Sequence, residues 1–179
     1  MFEELSLHLL DIAMNSLAAG ARTVELSVIE NSKRDWLILR VRDNGRGMDA
    51  ATLRRVLQER TTSKTARKKN IGLGLAMLRQ TSEMCGGHFQ VRSAVGQGTS
   101  VTASMRLAHV DRPPLGDLNA TVLALCAANP QVDVRLHYHA DEQRFCFSSQ
   151  ELEGKGHDNH EPRRTQETQR QGPTASRAA

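Results

Sequence analysis

Residues 36–48, WLILRVRDNGRGM, run an alternating strand straight into an aspartate and two glycines, Asp43-x-Gly45-x-Gly47. From Trp36 to Arg42 apolar and polar side chains alternate, the period of a strand with one buried face. A carboxylate beside bare backbone at a strand end suits a flat ligand. Asp43 can accept hydrogen bonds from the amino group of a planar base. Gly45 and Gly47 let main chain approach a ligand with no side chain between, and Met48 offers an apolar face to a ring. One such turn is weak evidence, so its neighbours decide.

Upstream, Thr23–Ile29 also alternates, with a polar turn at 31–35 before the next strand. Residues 3–19 repeat apolar side chains at three- and four-residue spacing (Leu5, Leu9, Ile12; Leu10, Ala13, Leu17) and stop at Gly20, which predicts a helix. His8, Asp11 and Asn15 form a narrow polar stripe on it, with Asp11 and Asn15 one turn apart, ~6 Å along the axis. A carboxylate and an amide there are costly unless something polar meets them. Downstream, 50–59 is helical and 60–70, RTTSKTARKKN, is a basic loop without apolar period. Gly72-Leu73-Gly74-Leu75 then opens an apolar helix that ends at Gly86-Gly87. Gly72 and Gly74 place bare N–H groups at a helix N-terminus, where the dipole favours phosphate. Residues 88–93 and 99–107 are strands joined by Val95-Gly96-Gln97-Gly98, a tight hairpin turn.

The 179 residues carry 24 Lys+Arg against 20 Asp+Glu, 39% hydrophobic and only 3% aromatic residues. That balance predicts an aliphatic core together with some unpacked chain. No apolar run approaches the ~20 residues of a membrane span, and the start lacks a basic and apolar leader. Cys85, Cys126 and Cys146 are too few and too scattered for a disulfide framework or a zinc site. A cytoplasmic protein is therefore expected. A net charge of +4, with no aromatics among the basic residues of 60–70, argues against nucleic acid as a partner. No phosphate loop of the GxxxxGK[ST] type is present. Asp111-Arg112-Pro113-Pro114 marks a boundary. Beyond it, 116–128 reads as a helix and 132–147 as a hairpin, too little to stand alone. From Glu151 on, Leu152 is the one large apolar residue, so 151–179 is expected to be a disordered polar tail. The expected division is 1–110, a small α+β appendage at 111–150, and the tail 151–179.

In order, Asp11-x-x-x-Asn15, Asp43-x-Gly45-x-Gly47, Gly72-x-Gly74 and Gly96-x-Gly98-Thr99 resemble the GHKL superfamily of ATP-binding domains (gyrase, Hsp90, histidine kinases, MutL and the anti-sigma-factor kinases) over residues 5–107. The resemblance implies an α+β fold, the two-layer α/β sandwich of the Bergerat type with a mixed, mostly antiparallel sheet, and ATP with Mg²⁺ as cofactors. It implies that Asp43 meets the adenine amino group with Gly45, Gly47 and Met48 around the base. Thr99 would help hold an adenine-side water, and Asn15 would bind Mg²⁺. Gly72, Leu73, Gly74 and Leu75 would line the phosphates, and 60–70 would be a lid bringing Thr62 and Lys64 to them. Asp11 stands where the hydrolases of the superfamily carry a glutamate as general base. It is one methylene shorter and would act through a second water or on a protein hydroxyl.

The segments TTSK, NIGLGLAML and GQGTSV are similar to histidine kinases and anti-sigma kinases. The first motif opens at Asp11, ten residues after Met1, so no phosphoacceptor hairpin is expected ahead of it. The expectation is a regulator resembling anti-sigma serine/threonine kinases, which would pass a phosphoryl group to a protein partner. Residues 111–150 would be a docking surface for that partner or for a second copy in a homodimer. The alternatives are a nucleotide-gated interaction module without transfer and a slow ATPase serving a larger assembly.

Overall fold

Leu5, Leu9, Ile12 and Ala13 lie along one side of the first helix and are almost completely buried, which is what their helical spacing requires. A computed structural model describes residues 4–58 and 73–153; Thr62, Lys64, Gly72, the rest of the basic loop and residues 154–179 lie outside the described residues. The elements are α1 (Leu5–Ala18), β1 (Thr23–Asn31), β2 (Trp36–Asp43), α2 (Ala50–Gln58), α3 (Leu73–Met84), β3 (Phe89–Ala94), β4 (Gly98–Arg106), α4 (Leu118–Ala128), β5 (Asp133–Ala140), β6 (Gln143–Ser148) and α5 (Ser149–Glu153).

The strands form one 6-stranded sheet in the order β3-β4-β2-β1-β5-β6. Every neighbouring pair is antiparallel except β1 with β5. This is the expected α+β arrangement, a mixed, mostly antiparallel sheet with helices on one side. The alternation read in the sequence sets which face is covered. Val24, Leu26 and Val28 on β1, Leu37, Leu39 and Val41 on β2, Val101, Ala103 and Met105 on β4, and Val134 and Leu136 on β5 share the buried face. α1, α3 and α4 pack there. Fully burying each large aliphatic side chain contributes about 2 kcal/mol. The opposite face is mostly polar, broken by Ile29, Trp36 and Ile38, and none of the described helices is long and apolar enough to cross a membrane.

Residues 111–153 are built into this unit. β5 continues the sheet beside β1, and α4 lies against α1. The two prolines serve the same packing. The first-turn N–H groups of a helix have no partner within it; here Leu5 N–H donates to the Pro114 carbonyl at 2.9 Å and Ser6 N–H to Leu115 at 2.8 Å. α5 runs through Glu153, into the start of the stretch whose composition reads as tail.

Candidate functional site

Asp43 ends β2 on the covered face and is only 8% exposed. Its Oδ1 accepts from Gly45 N–H (2.9 Å) and Thr99 N–H (3.2 Å), and its Oδ2 accepts from the Ser16 hydroxyl (2.8 Å). An ionised carboxylate has about four acceptor positions. Three are taken by protein, which fixes the group and leaves about one acceptor position for a ligand donor.

The 43–47 turn is wedged between the end of α1 and the β3–β4 hairpin. Arg46 N–H donates to the Ala19 carbonyl (3.1 Å), and Gly96 N–H donates to the Arg46 carbonyl (2.8 Å). Gly47 has φ +64°, and a Cβ there would overlap the Ala94 carbonyl; Gly98 has φ +79°, and a Cβ there would overlap the Asp43 carbonyl. The bare backbone at these two positions makes room for other backbone. Gly45 is also tight, with the Ala19 carbonyl 3.0 Å from where a Cβ would sit. Ser93 completes the join. Its hydroxyl accepts from Met48 N–H (2.9 Å), donates to the Gly98 carbonyl (3.0 Å) and lies 2.9 Å from the Thr99 hydroxyl. With its one proton on Gly98, Ser93 receives the Thr99 proton.

On α1, Asp11 and Asn15 are partly buried, and Asp11 faces the start of α3. Gly74 is buried, and a Cβ there would overlap the Asp11 carboxylate. Burial pushes the Asp11 carboxyl above the usual carboxylate range, and the Gly74 N–H partly offsets that rise. Asp11 Oδ2 and Asn15 Nδ2 are buried with no hydrogen-bond partner among the described residues. The oxygen and nitrogen of an amide exchange places by a flip. This pair can therefore offer a hard cation a carboxylate oxygen and an amide oxygen one helical turn apart. Among the described residues no group of three or more His, Cys, Asp and Glu could hold a metal. The donor set fits a Mg²⁺ taken with phosphate oxygens and water, the usual habit of that ion.

His8, one turn before Asp11, is 1% exposed, and burial pushes its pKa down to about 4. Below the ordinary value of 6.5 the unfolded chain takes up a proton that the folded one refuses, so stability falls as pH drops from 7 toward 4. Between pH 7 and 5 the expected loss from this residue is about 2 kcal/mol. Urea midpoints for the native protein and His8→Gln at the two pH values measure it, and the variant should lose that part of the slope.

The structure thus brings Asp43, Gly45, Gly47, Met48 and Thr99 together around the turn after β2, and sets Asp11 against Gly74 with Asn15 one turn further along α1. Leu75 is partly buried against the core. Leu73 opens α3, and Thr62, Lys64 and Gly72 lie outside the described residues. Sequence reasoning missed Ser16 and Ser93. Ser16 had a signal, a hydroxyl on the apolar side of α1 four residues after Ile12. Ser93 had none, because a polar residue near a strand end is ordinary.

The family model for histidine kinase-, DNA gyrase B-, and HSP90-like ATPases matches residues 1–109, and the chain belongs to that family. Among individual proteins, the chain is 39% identical over 71 residues to the circadian input-output histidine kinase CikA of Synechococcus elongatus (strain ATCC 33912 / PCC 7942 / FACHB-805), covering 38% of this chain and 9% of that protein. It is 31% identical over 101 residues to sporulation kinase D of Bacillus subtilis (strain 168), covering 54% and 19%. The chain therefore spans less than a fifth of the length of these relatives. A crystal structure of the N-terminal domain of a DNA repair protein shares the fold at a TM-score of 0.54 and 14% identity, covering 82% of this chain and 53% of that one.

Proposed function

We propose that this protein binds Mg-ATP between α1, the 43–47 turn and the starts of α3 and β4, and passes the γ-phosphoryl group to a protein partner, as an ATP-dependent regulator resembling the anti-sigma serine/threonine kinases. The observation that carries the nucleotide reading is the Asp43 carboxylate, buried, held by three protein donors and left with about one acceptor position for the adenine amino group. Gly74 at the start of α3 suits the phosphates. Thr62, Lys64 and Gly72 would add to them from the lid. Asn15 would hold Mg²⁺, which supplies charge neutralisation on the transferring group. Asp11 takes the proton from the partner's hydroxyl as its oxygen bonds to phosphorus and the bond to the β-phosphate oxygen breaks. The free thiols Cys85, Cys126 and Cys146 suit a reducing cytoplasm.

Asp11→Asn tests the base. With a carboxyl that resists ionisation, Asp11 costs the folded state stability at neutral pH, because the native form holds its proton to higher pH than the unfolded one. The variant is expected to melt no lower than the native protein, to keep Mg-ATP affinity within a fewfold, and to lose transfer of radiolabel from γ-labelled ATP by a hundredfold or more. Full turnover in the variant would overturn the assignment. The contact between Asp11 and Gly74 favours a second reading, a nucleotide-gated interaction module in which this carboxylate is a latch. In that case neither protein transfers label and Mg-ATP alone changes partner binding. Steady release of free phosphate without a partner would instead mark a slow ATPase.

A further inference from the structure

The helix-free face of the sheet carries charge that the nucleotide cleft does not use. Arg92 on β3, Ser100 on β4 and Arg42 on β2 are successive register partners, and Gln90, Thr102 and Arg40 form the adjacent row. With strands ~4.8 Å apart, Arg92 and Arg42 are ~10 Å apart across the sheet, and Arg40 follows Arg42 by ~7 Å along β2. All three arginines are exposed. Among the described residues none of them is ion-paired. They border one groove of about 500 Å³ whose other walls include Gln90, Ser100 and Thr102 and which reaches Asp43 and Thr99 of the proposed nucleotide site. The nearest carboxylate in register is Glu25, opposite Arg42. Arg135 beyond it is already bound to Asp133 at 2.6 Å. Like charges this close repel across a protein surface, so the cluster is a standing cost that an anionic occupant would remove.

We infer that this groove is a docking site for an acidic segment of a partner protein. Guanidinium groups take carboxylates through two parallel hydrogen bonds, and the intervening hydroxyls and amide can meet peptide backbone. Single-stranded nucleic acid fits less well, because base binding uses exposed aromatic platforms. Trp36, the aromatic of this face among the described residues, already lies under the Arg106 guanidinium, 4.5 Å from the ring centre. The inference rests on the phosphotransfer reading only in taking the partner to be a protein, and Asp43 is assayed separately so that the two can fail separately.

The test is fluorescence anisotropy of a fluorescein-labelled decaglutamate peptide with the full chain at low salt, about 20 mM, and again near 300 mM. Binding that weakens with salt is expected. Arg40→Gln/Arg42→Gln/Arg92→Gln should raise the Kd about tenfold or more, and Arg92→Gln alone should raise it about threefold should the triple variant fold poorly. Lys33→Gln/Arg34→Gln/Arg54→Gln, which removes three exposed charges off the groove, should leave it unchanged. Mg-ATP titration should be the same in all. No peptide binding at low salt, or equal loss in the groove and control variants, would overturn the inference. So would tighter, groove-dependent binding of a twelve-residue oligothymidylate, which would make the face a nucleic-acid surface.

Discussion

Gly98→Ala is expected to cost about 4 kcal/mol of folding stability, while Gly96→Ala, two residues away, costs about 1. Both glycines have positive φ, +79° and +74°, so both variants bear the left-handed strain of an L residue. Only Gly98 lacks space. A Cβ there meets the carbonyl of Asp43 and the Asn44 backbone, whereas the Cβ of residue 96 would meet nothing within 4 Å. The obstruction at 98 is main chain of the turn itself, which cannot swing aside as a side chain does. It can only retreat by breaking the bond from Thr99 N–H to Asp43. Urea denaturation of the two variants side by side measures the difference. Equal losses would mean that backbone strain alone is at work and that the turn yields readily.

Asp43→Asn is expected to weaken Mg-ATP binding about a hundredfold, close to 2.7 kcal/mol, with a much smaller loss of stability. An asparagine can keep its oxygen on Gly45 N–H and Thr99 N–H, and its amide can donate to the Ser16 hydroxyl, which accepts as well as donates. The turn therefore survives. The remaining position changes sign: where the carboxylate offered an acceptor, the amide presents a second N–H to the amino group of the base. Calorimetry with Mg-ATP and Mg-ADP checks the affinity, and Ser16→Ala gives a useful comparison because it removes one support while leaving the acceptor in place. Undiminished heat from a folded Asp43→Asn protein would move the nucleotide elsewhere.

Much of this was legible because the signals are local. The helical spacing of Leu5, Leu9 and Ile12, the alternation in 23–29 and 36–42, and the turn at 95–98 each report their own conformation. The coming together of Asp11 with Gly74, and of Asp43 with Thr99, was reachable only through the order of the motifs. What the residues could not disclose is long-range. Nothing in Val134, Leu136 and Tyr138 says that their strand lies parallel to β1; hydrophobic alternation fixes which face is buried, and partner choice depends on what remains uncovered once the rest has packed. Gly45 and Gly47 read as room for a ligand, yet the space at Gly47 is taken by the Ala94 carbonyl; close main-chain approach looks the same in sequence whatever approaches. The arginines of the open face were hidden for a similar reason. Arg40 and Arg42 each look like the wet side of one strand, and their meeting with Arg92 appears only when β4 is laid between β2 and β3.

The parallel seam between β1 and β5 sets an order of events for biosynthesis. Glu30 finds its register partner at Ala140, and Ser32 N–H is tied to the Asp141 carboxylate at 2.9 Å across 109 positions of chain. Until the ribosome has released that far segment, one flank of β1 stays bare, with its N–H and C=O groups available to any passing strand. A nascent chain stalled near residue 110 would be a sticky intermediate, and its safety in the cell would depend on how quickly synthesis delivers the missing neighbour.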